Sequence, residues 1–455
     1  MSLEKNDEIT IEIDSCSLQG SGVGRHEGMA VFVPYAEKGE KVLAHIIKVK
    51  KTYAVAKLMK VISPSEHRIQ PLCPVYSSCG GCSFGHLDYA RELEIKENHV
   101  KECFSRIAGI EPEFEPAIGA DIIYGYRNKA QFPVESDGEE VRTGFYAQRS
   151  HRVIPCRECL LQPPEFAAIT AAFEEYIRKN SIKSYGEETG KGLIRHIYLR
   201  MGTKSGEIMV CPVINGDSLP DEAGLVKALT DACPGIKTVV INTNTEKTNV
   251  ILGKKCRTIY GSGFITDELC GLEFRLSPLS FYQVNRDQAE RLYRKAKEYA
   301  ALTGEETLLD LYCGTGTIGL TMADRVKTLI GAEIVPQAVE DAKINASVNN
   351  ITNARFICGD AGETAQTLDK EGVKPDVIIL DPPRKGCSEG TIKTAAKMNP
   401  ARIVYISCDP ATLARDCAVF ASLGYKTEKV TPCDLFPRTG HCESVAKLIR
   451  NDMNS

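Results

Sequence analysis

An apolar run, Thr307-Leu308-Leu309-Asp310-Leu311, leads without a break into Tyr312-Cys313-Gly314-Thr315-Gly316-Thr317-Ile318-Gly319. The run has the length and composition of a buried strand, and a helical pattern follows the glycines. G-x-G-x-x-G between a strand and a helix lets the chain turn sharply and leaves backbone room for a ligand. This context predicts an open, mostly parallel α/β sheet, whose ligands bind outside the carboxyl ends of its strands.

The rest of the carboxyl-terminal third agrees. A second apolar run, 328–332, ends in Glu333, nineteen residues after Gly314, where a carboxylate can accept both hydroxyls of a ribose. A third run ends at Asp360, and 377–380 leads into Asp381-Pro382-Pro383-Arg384. A further run, 403–406, leads into Ser407-Cys408-Asp409-Pro410. Asp409 fits a helix N-cap and Pro410 the first helical position, where a missing N–H costs nothing. Cys408 therefore lies between a strand end and the positive end of a helix, an arrangement expected to lower a thiol pKa. Tyr312, Gly314, Glu333, Asp360, Asp381 and Cys408 should converge on one crevice. A dinucleotide oxidoreductase uses the same kind of loop, so the loop alone leaves the chemistry open.

At 455 residues the chain is too long for one core, and two or three domains are expected. Its 43% hydrophobic and 25% charged residues suit a soluble protein. It has no apolar run long enough for a bilayer, and residues 1–14 are charged rather than signal-like, so a cytoplasmic location without membrane contact is expected. Eighteen cysteines then point to metal or catalysis for a few and packing for the rest, not to disulfides. The net charge of −4 means that a nucleic-acid partner would need a local basic patch.

Residues 1–62 read as a small β-barrel, OB-like in size, with strands at 9–13, 29–33, 41–49 and 53–61 and a glycine turn at 20–24. Lys48, Lys50, Lys51 and Lys57 suit either phosphates or an ordinary guarded strand edge. Ser63-Pro64-Ser65 is a plausible linker. Residues 63–275 read as a central α+β domain, and 276–455 as the α/β domain.

The central domain opens with Cys73, Cys79 and Cys82 at C-x5-C-x2-C, followed much later by Cys156 and Cys159. Thiols so close, with Gly80 and Gly81 between them, point to a metal. Two C-x2-C pairs suit zinc, whereas three cysteines and a distant fourth suit a four-iron cluster. A closed four-thiolate site leaves no iron free for chemistry, which makes its role structural. Between 124 and 152, Tyr126, Arg127, Lys129, Phe132, Arg142, Phe145, Tyr146, Arg149 and Arg152 interleave rings with cations. That pattern suits single-stranded nucleic acid or, equally, an antiparallel sheet with one solvated face.

Asp381-Pro382-Pro383 resembles the substrate-side motif of S-adenosylmethionine-dependent methyltransferases. Those that methylate amino groups usually carry an aromatic residue next, where this chain has Arg384, and a thiol two strand ends away points to carbon instead. Cys73/Cys79/Cys82, Tyr126-Arg127-Asn128-Lys129, Phe281-Tyr282-Gln283-Val284-Asn285, the glycine loop, Asp381-Pro382-Pro383-Arg384-Lys385-Gly386, Ser407-Cys408-Asp409-Pro410 and Thr439-Gly440-His441-Cys442-Glu443 extend the likeness along essentially the whole chain. Together they resemble the RNA 5-methyluridine methyltransferases, in particular the bacterial 23S ribosomal RNA branch with a TRAM domain and an iron–sulfur cluster.

The resemblance implies a Rossmann-like methyltransferase domain at the carboxyl end. It implies that Gln283, Tyr312, Glu333 and Asp381 hold S-adenosyl-L-methionine, that Cys408 is the nucleophile and that Glu443 is the base. It favours Cys159 over Cys156 as fourth ligand, with Cys73, Cys79 and Cys82, of a [4Fe-4S] cluster rather than zinc. Phe281 is expected to stack on the extruded uracil, Gln283 or Asp381 to read its polar edge, and Arg127 and Lys129 to contact RNA. Thr317, Asp409 and Arg438 depart from the commoner residues (Asn, Asn and His) without removing a group the chemistry needs. Two other readings are a transfer RNA methyltransferase of the same family and a non-catalytic RNA-binding redox sensor. The sensor reading leaves Cys408 and Glu443 without purpose. No obligate protein partner is expected.

Overall fold

The structure, a computed structural model, describes residues 3–451 apart from Arg149. Arg149, one of the interleaved cations, therefore lies outside the described residues.

The chain opens with a closed barrel of β1 (Glu8–Cys16), β2 (Ser21–His26), β3 (Met29–Pro34), β4 (Lys41–Val49) and β5 (Tyr53–Ser63), in the order β1-β2-β3-β5-β4. Alternation puts Ile11, Ile13, Val31, Val33, Val42, Ala44, Ile46, Ala54 and Ala56 inside. Of the glycine stretch expected as a turn, Gly20 sits in one with φ +73°, but residues 21–24 belong to β2. A Cβ on Gly24 would collide with the Glu12 carbonyl, so glycine there lets β1 and β2 cross at the closure of a small barrel. The expected linker is also anchored, since the Ser65 N–H donates to Glu40 at 3.2 Å.

After the cysteine loop come α1 (Tyr89–Cys103) and β6 (Glu113–Phe114). A seven-stranded sheet follows, built from β7 (Lys129–Ser136), β8 (Val141–Tyr146), β9 (Val153–Pro155), α2 (Glu165–Lys179), β10 (Ile194–Met201), β11 (Ile208–Ile214), α3 (Glu222–Ala232), β12 (Ile236–Thr243) and β13 (Lys255–Gly261). Phe132 is fully buried and packs on Phe145 at 5.0 Å, while Tyr126 is buried and donates to the Pro437 carbonyl at 2.8 Å. These rings are core rather than stacking platforms for RNA. The hairpin of β14 (Ile265–Leu269) and β15 (Leu272–Leu276) joins this part to the last domain.

The last domain runs α4 (Arg286–Ala300), β16 (Thr307–Leu311), α5 (Thr317–Leu320), β17 (Thr328–Glu333), α6 (Pro336–Val348), β18 (Ala354–Cys358), α7 (Ala361–Lys370), β19 (Val377–Leu380), α8 (Glu389–Lys397), β20 (Arg402–Ser407), α9 (Pro410–Ser422), β21 (Tyr425–Cys433) and β22 (Glu443–Arg450). Its sheet has the order β18-β17-β16-β19-β20-β22-β21-β6. The strands from β18 to β20 are parallel, and β22 pairs antiparallel with both neighbours. The order reverses beside β16, which puts the switch point at the glycine loop. Both faces are covered, as a parallel sheet requires: α4 and the hairpin on one, α1, α7, α8 and α9 on the other. By packing, α1 and β6 belong to this sheet, with β6 extending its edge. None of the helices among the described residues is long and apolar enough to cross a membrane.

Candidate active site

A cavity of about 690 Å³ opens at the carboxyl ends of β16, β17, β19 and β20. Its wall includes Arg127, Phe281, Gln283, Tyr312, Gly314, Glu333, Asp360, Asp381, Arg384, Cys408, His441 and Glu443. One crevice thus gathers every cofactor, nucleophile and base candidate read from the sequence. Of the three RNA-contact candidates it takes Phe281 and Arg127. Lys129 is not in this wall: it lies in β7 opposite Arg200, and burial beside Arg200 and Arg127 lowers its pKa to about 8.

The glycine loop is tied to the neighbouring strand. The N–H groups of Tyr312 and Cys313 both donate to the Ala332 carbonyl at 3.0 Å, and the Gly314 N–H donates to Glu333 at 3.1 Å. The other Glu333 oxygen accepts from the Val335 N–H at 2.8 Å, so the carboxylate is aimed across the loop. Asp360 caps α7 through the N–H groups of Gly362 and Glu363. The 281–284 segment is pinned from behind. Asn128 donates to the Gln283 carbonyl at 3.0 Å, and Arg200 donates to the carbonyls of Ser277 and Ser280. Phe281 itself is 58% exposed in this pinned segment, a ring free to stack on a base.

At the other end of the cavity, β20 and β22 run antiparallel with Ser407 opposite Ser444. The register sets Cys408 beside Glu443. Asp381 leaves β19, the strand on the other side of β20. Burial pushes the Asp381 carboxyl up to about 7. Glu443, only 4% exposed, is pushed up to about 8 by burial and by the Asp381 charge, against the Arg384 cation. Beneath the loop, Asp310 is raised to about 8 by burial and the same Asp381 charge. A carboxyl poised near neutrality suits proton transfer.

The lowered Cys408 pKa expected from the sequence is corrected. Burial, then the Glu443 and Asp381 charges, push the thiol up to about 11, and Arg384 opposes them. The helix terminus does not offset this because Asp409 already occupies it, accepting from the N–H groups of Ala411 at 2.9 Å and Thr412 at 3.3 Å. Arg384 and His441 are the site residues to which the sequence reading gave no role. Both lie inside quoted motifs, but only the structure shows Arg384 acting on Cys408 and Glu443, and His441 lining the cavity.

The five cysteines of the central region lie within electrostatic reach of one another: charges on Cys73 and Cys159 act on both Cys79 and Cys82, and Cys156 and Cys159 act on each other. Such a set of soft donors fits iron or zinc by its chemistry. Among the described residues, however, no three His, Cys, Asp or Glu side chains form a group that could hold a metal ion.

Two family models match the chain: the TRAM domain over residues 3–59 and the tRNA (uracil-5-)-methyltransferase family over residues 88–451. An uncharacterized RNA methyltransferase of Caldanaerobacter subterraneus subsp. tengcongensis is 45% identical over 440 residues, 97% of each chain. Another from Clostridium acetobutylicum is 42% identical over 453 residues, 99% of this chain and 98% of the relative. Among solved structures, the Pyrococcus abyssi tRNA (uracil-54, C5)-methyltransferase in complex with S-adenosyl-L-homocysteine superimposes with a TM-score of 0.78 at 27% identity. That match covers 97% of this chain and all of the other.

Proposed function

Since the chain belongs to the tRNA (uracil-5-)-methyltransferase family and carries a TRAM domain, we propose that it methylates carbon 5 of a uridine in 23S ribosomal RNA through a covalent Cys408 adduct. One observation carries the reading: Cys408 and Glu443 stand side by side in the cavity that also holds the glycine loop and Glu333.

When bound, S-adenosyl-L-methionine supplies an electrophilic methyl group on a sulfonium. Glu333, Gly314, Tyr312, Asp360, Gln283 and Asp381 are the residues that would hold it. The remaining work belongs to the chain. Carbon 5 of uracil is a poor nucleophile by itself. Phe281 stacks on the extruded ring, and Gln283 or Asp381 meets its polar edge. The Cys408 thiol releases its proton to solvent, the sulfur forms a bond to carbon 6, and the ring electrons move to carbon 5 as an enolate. Once carbon 5 carries the methyl group, Glu443 takes its proton. The carbon–sulfur bond then breaks and its electron pair returns to sulfur. Lys48, Lys50, Lys51 and Lys57 are all exposed on the barrel, a basic patch able to hold RNA on a chain of net negative charge.

We also propose a structural [4Fe-4S] cluster on Cys73, Cys79, Cys82 and Cys159, supported by the donor chemistry of the gathered thiols; no catalytic step passes through it. Transfer RNA is the second reading, favoured by the likeness to the Pyrococcus abyssi enzyme. Mapping 5-methyluridine in ribosomal and transfer RNA of a strain lacking this chain separates the two. Loss confined to 23S RNA is expected, and loss confined to transfer RNA overturns the assignment. Cys408→Ala should bind RNA without turnover, and Glu443→Gln should hold RNA as an adduct that survives denaturation. Methylation by Cys408→Ala excludes the covalent route.

A further inference from the structure

The helix that begins behind Cys408 also grips the loop facing it. Thr412, Arg415 and Asp416 lie three and four residues apart, on one face of α9. The Thr412 hydroxyl is shared between the Asp409 carbonyl at 3.0 Å and the Arg384 carbonyl at 3.2 Å, and Arg415 Nη2 donates to the Lys385 carbonyl at 2.9 Å. Asp416 Oδ2 accepts from the Cys387 N–H at 2.8 Å and from the Tyr405 hydroxyl at 2.6 Å. Its Oδ1 accepts from Arg415 Nε at 2.9 Å. Asp416 is 1% exposed, so each of these bonds is made without competing water. The loop lies hard against the helix at Gly386, where φ is +75° and a Cβ would stand 2.6 Å from Asp416 Oδ2. The Cys387 thiol lies close enough to Tyr312 and Tyr405 for each to act on it, and Tyr312 belongs to the glycine loop.

We propose that Asp416, which touches no reacting atom, is a positioning residue that holds Arg384 over Cys408 and Glu443. This rests on the reading of Cys408 as nucleophile. Arg384 is the cation that opposes burial at both groups. The charged and titratable groups lining the cavity around Cys408 are Asp381, Glu443, Arg384, Lys385, Arg127 and His441, with Asp409 next in the chain and engaged at the helix terminus. Arg384 and Lys385 both sit in the held loop, so releasing it leaves Arg127 as the cation of this wall against Asp381 and Glu443.

The test is the rate at which iodoacetamide alkylates Cys408, followed peptide by peptide across pH in the full chain. Asp416→Ala removes the shared acceptor and should slow alkylation at pH 8 about tenfold, one decade per pH unit of displaced thiolate formation. Asp416→Asn keeps an oxygen toward Cys387 and Tyr405 and should recover most of the parental profile. In an Arg384→Ala background, Asp416→Ala should add no further slowing. Thr412→Val, which removes one loop contact from a half-exposed position, carries the same test if Asp416→Ala does not fold. It should slow alkylation in the same direction by a smaller factor. An unchanged profile in the folded variants overturns the proposal, and so does slowing that persists without Arg384. Alkylation needs no RNA, so a Cys408→Ala enzyme that still turns over would sink the nucleophile reading and leave this result standing.

Discussion

The carbonyl oxygen of Arg438 accepts a hydrogen bond from the Ser83 N–H at 2.8 Å, and a second from the Phe84 N–H at 3.1 Å. Ser83 directly follows Cys82, and Arg438 lies five residues before Glu443. The cysteine loop is therefore fastened to the segment that delivers the base. The Tyr126 hydroxyl, on the approach to β7, binds the neighbouring Pro437 carbonyl. Segments of all three domains meet at this turn, because a Cβ on Gly440 would also collide with the Leu18 carbonyl of the barrel.

Arg438 pays for that position with a φ of +71°, a conformation that costs an ordinary residue about 1 kcal/mol or more. Its buried guanidinium donates to the Leu87 carbonyl at 2.8 Å and stands 3.4 Å from Glu92. Arg438→Ala loses these bonds and keeps the strain, whereas Arg438→Gly loses the bonds and relieves the strain. Thermal unfolding should find both variants below the parent, with the glycine variant above the alanine one by roughly 1 kcal/mol. Equal midpoints would mean that the left-handed backbone is not what limits this turn.

Behind the same turn, Lys96 is completely buried, with Nζ 2.7 Å from both Glu92 and Asp434 and 3.2 Å from the Phe436 carbonyl. With Arg438 beside Glu92, two cations and two carboxylates share this buried site. Lys96→Met takes the cation from Asp434 and leaves Glu92 only Arg438, and is expected to destabilise by about 3 kcal/mol. Adding Asp434→Asn and Glu92→Gln should recover part of that loss, since the neutral amides no longer need the cation. Denaturant unfolding of the single and triple variants measures both, and a silent Lys96→Met would show that the network bears no load.

How far the sequence discloses the fold depends on which force sets each element. The strands of the last domain are apolar runs buried on both faces, and 307–311 and 377–380 match the observed β16 and β19 residue for residue. Polar residues at the strand ends, Glu333, Asp360 and Asp381, all line the cavity. Residues 21–24 misled because glycine serves turns and closely paired strands alike, and only the partner strand distinguishes them. The rings at 126 and 132 misled because burial is a tertiary fact that composition does not carry. Asp416 had no signal at all, since its partners are a distant backbone N–H and a tyrosine hydroxyl.

The pH responses of activity and stability should run in opposite directions. Glu443 must be ionised to take a proton and Cys408 must lose one to attack, so turnover should climb from pH 6 to pH 9. The climb should be steeper below 8, where both groups ionise further, than above it, where the thiol alone still does. The folded-state pKa values of Asp310, Asp381 and Glu443 all lie above their unfolded values. The folded protein therefore holds protons that the unfolded chain has released. Stability from these groups is fully present below about pH 4 and is lost as pH rises through 7 and 8. The cofactor-free protein should melt lower at pH 9 than at pH 6, by an amount worth roughly 1–3 kcal/mol per group. Asp310→Asn should flatten this slope. A melting temperature that rises over the same interval would show that these carboxyls are not held protonated.

The cysteine cluster makes the last prediction. Cys73 and Cys79 act on Cys156, and Cys159 acts on Cys79 and Cys82, so both distant cysteines lie within electrostatic reach of the loop. The family likeness favours Cys159 as the fourth ligand, and the two cysteines are told apart by substitution. Protein purified without oxygen should carry about four irons per chain and absorb in the visible. Cys159→Ser should lose the iron and the colour, and Cys156→Ser should retain both. The same loss in both variants would make Cys156 a ligand, and stoichiometric zinc in colourless parent protein would replace the cluster with a zinc site. The Arg438 contact adds a second readout, because a loop without its metal holds Ser83 and Phe84 less firmly. Backbone amide exchange at residues 83 and 84 should therefore speed up in Cys159→Ser and stay at the parental rate in Cys156→Ser.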